Sequence, residues 1–195
     1  MGSSTANKKY ALLYGITGSG KTLMQYTKQA SLNVLQEIKP TEGFNYEEID
    51  VKKTTLGIFD VSGNLNQYEI VNIITKCVNI SAIIFMVPLD KLEELDKSRD
   101  YLEIVLSNNN LREEICLFVI YNYKDIKMKD KIFWMPKELL DARLKLDKIK
   151  KKYRLAAVFS CITDISTITE SEENEFTEAL DKFVKQIEKE NLGDN

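Results

Sequence analysis

The chain has 195 residues, with 27 basic and 30 acidic side chains, a formal net charge of −3 at pH 7 and no histidine. This length suits one domain with a sizeable core, and the near balance of charge argues against a protein that grips nucleic acid through a global basic field. The lack of histidine excludes His-based acid–base catalysis and His-ligated metals.

No apolar run approaches the roughly 20 residues that span a bilayer. The longest such run, 82–87, has the length of a strand, and no apolar segment near the N-terminus resembles a secretory signal. Cys77, Cys116 and Cys161 lie in or beside apolar stretches and are odd in number, which favours buried free thiols in a reducing cytosol over disulfides. We therefore expect a cytoplasmic protein.

The first nine residues are small, polar and basic, which predicts a disordered tail. The domain is expected to cover 10–191, with a short tail at 192–195. Gly2 raises the question of myristoylation, but that motif requires Ser or Thr where this chain has Ala6. A single acyl chain would anchor only weakly, so any membrane association is expected to be peripheral.

Residues 15–22 read GITGSGKT and match the phosphate-binding pattern G-x-x-x-x-G-K-[ST] at every position. The apolar run 10–14 predicts a buried strand before the motif, and residues 23–35 predict a helix after it. A glycine-rich turn that merely joins strand to helix is the alternative, and the agreement of strand, loop and helix disfavours it.

This arrangement suits phosphate because glycines let backbone N–H groups turn inward and the loop ends at a helix N-terminus, where the helix dipole favours anions. Lys21 would reach the β- and γ-phosphates, and the Thr22 hydroxyl would ligate Mg²⁺. The sequence therefore predicts a nucleotide-binding protein.

Pro40 opens an irregular segment, PTEGFN at 40–45, which precedes a predicted antiparallel hairpin. Its strands are 46–51 and 54–61, with two lysines at the turn. The second strand ends in DVSGN at 60–64, which places Asp60 at a carboxyl end before a loop of small residues.

The rest of the chain alternates strands and helices. Further strands are predicted at 82–87, 115–121 and 156–159. Further helices are predicted at 68–77, 92–106, 136–152 and 172–191. The basic stretch 145–154 is either a partner surface or a solvated helix face, and the second is the commoner case.

Apolar strands alternating with helices predict an α/β fold: a mostly parallel six-stranded sheet with one antiparallel edge strand and helices on both faces. Ligands of such sheets lie at the carboxyl ends of the strands. The segments 15–22, 60–64, 122–125 and 160–163 each follow a predicted strand, so we expect them to converge on one site.

These segments together resemble the small GTPases of the Ras superfamily, within the P-loop NTPase fold, and specifically the ADP-ribosylation factor-like (Arf/Arl) branch. The segment PTEGFN fits that branch's first-switch pattern Pro-Thr-x-Gly-Phe-Asn, and FDVSGN at 59–64 resembles its second-switch box. NYKD at 122–125 resembles the guanine box Asn-Lys-x-Asp, and SCIT at 160–163 resembles the Thr-Cys-Ala-Thr loop. The resemblance covers roughly residues 10–190.

The resemblance implies a site for GTP or GDP with Mg²⁺. Thr22 and Thr41 would ligate the metal, with Asp60 acting through water. Asp125 would accept hydrogen bonds from guanine N1 and the 2-amino group; for Asp60 and Asp125 a helix cap or turn is the alternative, which the order of the motifs disfavours. The residues implied in nucleotide contact are Gly15, Thr17, Gly18, Ser19, Gly20, Lys21, Thr22, Thr41, Gly63, Asn122, Tyr123, Lys124, Asp125, Ser160, Cys161 and Ile162.

Two residues carry catalytic expectations by the same resemblance. The Gly63 amide would contact the γ-phosphate and link nucleotide state to the second switch. Asn64 stands where the family has its water-positioning glutamine, and asparagine is one methylene shorter. Since that group orients the attacking water, we predict slow intrinsic hydrolysis.

Three other positions depart from the family pattern. Tyr123 replaces the lysine of the guanine box, which predicts retained guanine specificity with weaker affinity or faster exchange. Phe59 and Ser62 alter the second switch, and Ser62 lacks the conformational freedom of glycine. Residues 1–9 cannot form the amphipathic membrane helix that often precedes the first strand in this family.

The resemblance predicts a molecular switch that recruits protein effectors, and exchange or activating factors, through residues 40–70, with no nucleic-acid partner. The alternative is a degenerate family member that holds nucleotide constitutively and serves as an adaptor subunit. An ATP-using enzyme such as a nucleotide kinase is a third possibility, which Asp125 disfavours. Resemblance to the β-subunit of the signal-recognition-particle receptor is weaker.

Overall fold

The computed structural model describes residues 7–26, 43–90, 92–123, 135–165 and 175–190. Six strands form one sheet in the order β2-β3-β1-β4-β5-β6. Only β2 and β3 pair antiparallel, and the other neighbours are parallel. The predicted α/β class, the six strands and the antiparallel edge strand are thus confirmed. The strands are β1 (Asn7–Gly15), β2 (Phe44–Val51), β3 (Thr54–Val61), β4 (Ala82–Pro88), β5 (Cys116–Asn122) and β6 (Ala157–Thr163).

Helices cover both faces of the sheet. They are α1 (Lys21–Tyr26), α2 (Tyr68–Cys77), α3 (Leu95–Leu106), α4 (Lys137–Arg143), α5 (Leu146–Lys152) and α6 (Glu175–Glu190), with 3₁₀ turns at Leu65–Gln67 and Leu92–Glu94. Helices α2 to α5 bury apolar side chains on one face, and α1 and α6 on the other. The central strands are buried on both faces, so β4 and β5 are continuous apolar runs without alternation.

Several predicted boundaries are wrong. β1 begins at Asn7, three residues inside the predicted tail, and β6 continues through residues 160–163, which were expected to form a loop. The predicted helix 136–152 is two helices, because Lys145 adopts the left-handed conformation with a φ of 57°. The part of the predicted helix 23–35 beyond Tyr26 lies outside the described residues.

The burial of side chains on α5 and of the cysteines tests two further expectations. On α5, Leu146 and Ile149 are buried while its lysines are exposed, as in an amphipathic helix. All three cysteines are free, but Cys77 is exposed, so burial was predicted correctly only for Cys116 and Cys161. Within the described ranges, no helix is long and apolar enough to cross a bilayer.

Helix α2 is tied to the C-terminal end of α3 by a polar cluster around Asn108, which is 8% exposed. The Asn108 amide donates to Asn72 Oδ1 at 2.9 Å and to the Tyr68 hydroxyl at 3.4 Å. Tyr68, the first residue of α2, donates in turn to the Ile104 carbonyl at 3.1 Å. The start of α2 is therefore held, and the short segment 62–67 before it lies between two fixed elements.

Candidate nucleotide site

The loop between β1 and α1 turns on glycines with positive φ. Gly15, Gly18 and Gly20 have φ of 146°, 81° and 99°. A Cβ on Gly15 would lie 2.3 Å from the Met86 carbonyl oxygen, and one on Gly20 would lie 2.3 Å from Asn122 Nδ2. Glycine is required at both positions by contact as well as by conformation.

Lys21 folds over this loop. Its side chain is 6% exposed, and Nζ donates to the carbonyls of Gly15 at 2.9 Å and Ile16 at 3.0 Å. These bonds hold the ammonium against the loop, while Thr17 and Gly18 are exposed at its outer side. The arrangement places one positive charge beside a run of backbone amides, which suits a polyphosphate.

The carboxylate of Asp60 meets the start of α1. Thr22 Oγ1 donates to Asp60 Oδ2 at 2.8 Å, and Asp60 is fully buried at the end of β3. Hydroxyl and carboxylate oxygens are the donors that Mg²⁺ accepts in nucleotide sites. The chemistry of this pair therefore fits the metal implied by the sequence, whereas Thr41 lies outside the described residues.

Gly63 is buried against the backbone of the phosphate loop. A Cβ at this position would lie 2.4 Å from the Thr17 nitrogen and 2.6 Å from the Gly15 oxygen. The neighbouring Ser62 is 8% exposed, and its amide donates to the Gly43 carbonyl at 3.2 Å. The second predicted switch segment thus contacts both the phosphate loop and the first predicted switch segment, at Gly43.

Asn64 is used as a cap. Its side-chain oxygen accepts from the Asn66 amide at 3.0 Å, capping the 3₁₀ turn Leu65–Gln67. Its own amide donates to Ser62 Oγ at 3.3 Å. The side-chain oxygen of Asn64 is therefore bonded within the turn that follows the residue, although the residue itself is exposed.

Asn122 joins the two sides of the site. It is 1% exposed at the end of β5, and its Nδ2 donates to the Ser19 carbonyl in the phosphate loop at 2.9 Å. Its Oδ1 accepts from the Ile165 amide, just after β6, at 3.0 Å. One amide side chain therefore connects the phosphate loop to the segment that follows β6.

Of the other residues in the predicted guanine motif at 122–125, the structure describes Tyr123. Tyr123 is half-buried against the core, its amide donates to the Thr163 carbonyl at 3.1 Å, and burial, with the negative charge of Asp164, raises the pKa of its hydroxyl. Lys124 and Asp125 lie outside the described residues.

The side chains of 160–162 lie on the two faces of β6. Ser160 bonds to α4, and Ile162 packs against the core on the same face. Cys161 is fully buried on the opposite face, where burial raises the pKa of its thiol. The Ser160 side chain therefore bonds to α4, and the Cys161 side chain packs in the core.

Sequence reasoning missed several residues at this site. The Met86 carbonyl fits against Gly15, and Ile165 supplies the amide that Asn122 accepts. Both act through the backbone, which carries no sequence signal. Asp164, 5% exposed beside Tyr123, offered a signal as a charged residue directly after the motif at 160–163.

Comparison with known proteins identifies the family. The model of the ADP-ribosylation factor family matches residues 2–187. The chain belongs to the ADP-ribosylation factor family. The predicted resemblance to Arf-like small GTPases is confirmed.

The relatives of this Arf-family chain are distant. It is 29% identical over 116 residues to ADP-ribosylation factor-like protein 5A of Rattus norvegicus, a match that covers 60% of this chain and 62% of that protein. It is 29% identical over 123 residues to ADP-ribosylation factor-like protein 1 of Caenorhabditis elegans, covering 62% of this chain and 64% of that protein. The matched stretch thus spans less than two thirds of either relative.

A solved structure shares the fold. The Arl6 BBS3 small GTPase of Trypanosoma brucei, solved with the nucleotide analogue GppNp bound, superposes with a TM-score of 0.71 at 18% identity. The superposition covers 94% of this chain and 99% of that one. This likeness confirms the Arf-like P-loop GTPase fold.

Proposed function

We propose that this Arf-family chain is a guanine-nucleotide-binding switch that holds GTP or GDP with Mg²⁺. The observation that carries the proposal is Asn122, which bonds to the phosphate loop at Ser19 and to the segment after β6 at Ile165. Lys21 and the loop amides bind the phosphates, and Thr22 with Asp60 forms the metal side. The motif at 122–125 recognises guanine through Asp125.

The direct test is the nucleotide that copurifies with the full chain. We expect GDP or GTP after denaturation and chromatography, and faster release of the bound nucleotide when EDTA removes Mg²⁺, because a metal held by Thr22 and Asp60 would offset the charge of the phosphates. Retention of ADP or ATP in preference to guanine nucleotides would contradict the proposal. It would favour the nucleotide-kinase alternative instead.

We also propose that intrinsic hydrolysis is slow. The Asn64 side chain caps its own turn at 3.0 Å to the Asn66 amide, so its oxygen is committed to the protein. A side chain held in this way, and one methylene shorter than glutamine, is poorly placed to orient water.

We expect Asn64→Gln to raise the single-turnover GTP hydrolysis rate by roughly 10–100-fold, at or below the usual contribution of a positioned catalytic group. Asn64→Ala should change it less than about threefold, and Asn66→Gln is the matched control in the same turn. Hydrolysis by the natural chain as fast as that of a glutamine-bearing relative, and abolished in Asn64→Ala, would falsify this proposal.

Effector binding is proposed for the surface around residues 40–70. Phe44, at the start of β2, is 52% exposed, and Leu65 and Ile73 are 39% and 61% exposed. The Phe44 ring lies 6.1 Å from that of Phe59, which in turn is 4.8 Å from Tyr46. Exposed apolar side chains beside segments that contact the phosphate loop suit a protein partner that senses nucleotide state.

Nucleotide dependence separates this switch from a constitutive adaptor. For a switch, partner binding should differ between the GDP form and the form loaded with a non-hydrolysable GTP analogue. Equal binding in the two forms would favour the adaptor alternative, in which the chain holds nucleotide without reporting its state.

A further inference from the structure

We propose that Asp141 on α4 is a positioning residue for the guanine side of the site, which it controls by holding the ends of β5 and β6 together. This inference rests on the proposed function for its nucleotide readouts and on the geometry of three residues for its mechanism. Asp141 lies outside every motif that the sequence brought forward.

Each oxygen of the Asp141 carboxylate bonds to a different strand. The Tyr121 hydroxyl on β5 donates to Oδ1 at 2.8 Å, and Ser160 Oγ on β6 donates to Oδ2 at 2.9 Å. Lys137, one turn earlier on α4, lies 3.6 Å from Oδ2 and donates to Ser160 Oγ at 3.3 Å. The carboxylate thus bridges two strands from above the sheet.

The bridged residues lie where the site is built. Tyr121 precedes Asn122, which connects the phosphate loop to the segment after β6, and Ser160 begins the motif at 160–163. In the parallel register Tyr121 is opposite Ile162 and Val119 is opposite Ser160, so the two hydroxyls share one face of the sheet. The bridge therefore fixes β6 along β5 within a few residues of the proposed base contacts.

Burial makes the bridge persistent. Tyr121 is fully buried, and burial together with the Asp141 charge raises the pKa of its phenol, which stays a donor at any physiological pH. Asp141 itself is 26% exposed in its side chain, at the edge of an open groove between α4 and β6. Loss of the carboxylate would leave a buried hydroxyl without its acceptor, which is costly.

The test compares four substitutions in the full chain by the dissociation rate of a fluorescent GDP. We expect Asp141→Leu, which keeps the branched four-atom skeleton of the side chain and removes both acceptors, to raise the rate about tenfold. Asp141→Asn, which keeps one carbonyl acceptor, should stay within about threefold of the natural chain. Tyr121→Phe and Ser160→Ala should each raise the rate by about threefold, since each removes one bond.

A double substitution tests whether the bridge is one unit. Asp141→Leu combined with Tyr121→Phe should release GDP no faster than Asp141→Leu alone, because the same bond cannot be lost twice. The matched control is Asp147→Leu, an exposed carboxylate of α5 that lines the same groove.

A readout without nucleotide keeps the proposal separate from the proposed function. The Tyr123 amide, which donates to Thr163, should lose hydrogen-exchange protection in Asp141→Leu and keep it in Asp147→Leu. If the natural chain binds no guanine nucleotide, the proposed function fails while this measurement still decides the role of Asp141. Unchanged protection in Asp141→Leu, or a GDP release rate within twofold of the natural chain, would overturn the positioning role, as would an equal effect of Asp147→Leu.

Discussion

Gly63→Ala is expected to lower the affinity for a GTP analogue relative to GDP by about 10–100-fold. The added Cβ would lie 2.4 Å from the Thr17 nitrogen and 2.6 Å from the Gly15 oxygen, closer than real contacts allow. Both neighbours are backbone atoms, so Gly63 must retreat from the phosphate loop. The retreat removes the proposed hydrogen bond from its amide to the γ-phosphate, and a bond to a charged group contributes about 1.5–3 kcal/mol.

The measurement is a pair of titrations, with fluorescent GppNp and with fluorescent GDP, on the same preparation. Gly43→Ala is the matched control, because Gly43 has a φ of 87° but its Cβ would have no atom within 4 Å. That variant should lose about 1–2 kcal/mol of stability through backbone strain and keep the ratio of the two affinities. An unchanged ratio in Gly63→Ala would show that Gly63 does not sense the third phosphate.

Lys21→Ala should weaken both GDP and GTP by roughly 100-fold or more. Lys21 is 6% exposed, and its ammonium donates to the carbonyls of Gly15 and Ile16 at 2.9 and 3.0 Å. Its removal takes away the positive charge that we propose for the phosphates and leaves two carbonyls of the loop without this donor. Two charge-assisted bonds from the ammonium to phosphate oxygens, at about 1.5–3 kcal/mol each, would account for a loss of this size.

Two controls accompany the Lys21 measurement, which is a calorimetric titration with GDP. Lys151→Ala removes a lysine from the exposed face of α5 and should leave the affinity unchanged. Lys21→Arg keeps the charge in a larger, planar group and should recover only part of the loss, because the buried space is shaped for lysine. A Lys21→Ala affinity within threefold of the natural chain would mean that phosphate is bound elsewhere.

How far the sequence predicted the molecule depends on the kind of signal. The phosphate loop, the hairpin and α2 (Tyr68–Cys77) were placed correctly, because glycine motifs, turn residues and helical periodicity are local. The break at Lys145 was missed, because a lysine in the left-handed conformation leaves no mark in the sequence. β6 was ended too early because Ser160 and Thr163 are polar, although pairing with β5 carries them into the sheet.

In the site, too, the convergence of local motifs was predictable, and individual contacts that depend on the order of the sheet were not. Thr22 bonds to Asp60 and Asn122 bonds to Ser19, so three of the segments that were expected to converge do meet, although the Asn122–Ser19 bond itself was not predicted. The role of Asp141 could not be predicted, because its partners Tyr121 and Ser160 are 20 and 19 residues away and meet it only through the order of the sheet. The use of Asn64 as a cap likewise depends on the turn that follows it.

The double attachment of Asn122 has a thermodynamic consequence. Since the same amide group holds the Ser19 carbonyl and the Ile165 amide, ordering of either segment favours ordering of the other. A guanosine and a pyrophosphate offered as separate molecules should therefore assist each other's binding, and by reciprocity each should do so by the same factor. The nucleotide would then be held more tightly than the sum of its two halves, with part of that surplus residing in one buried asparagine.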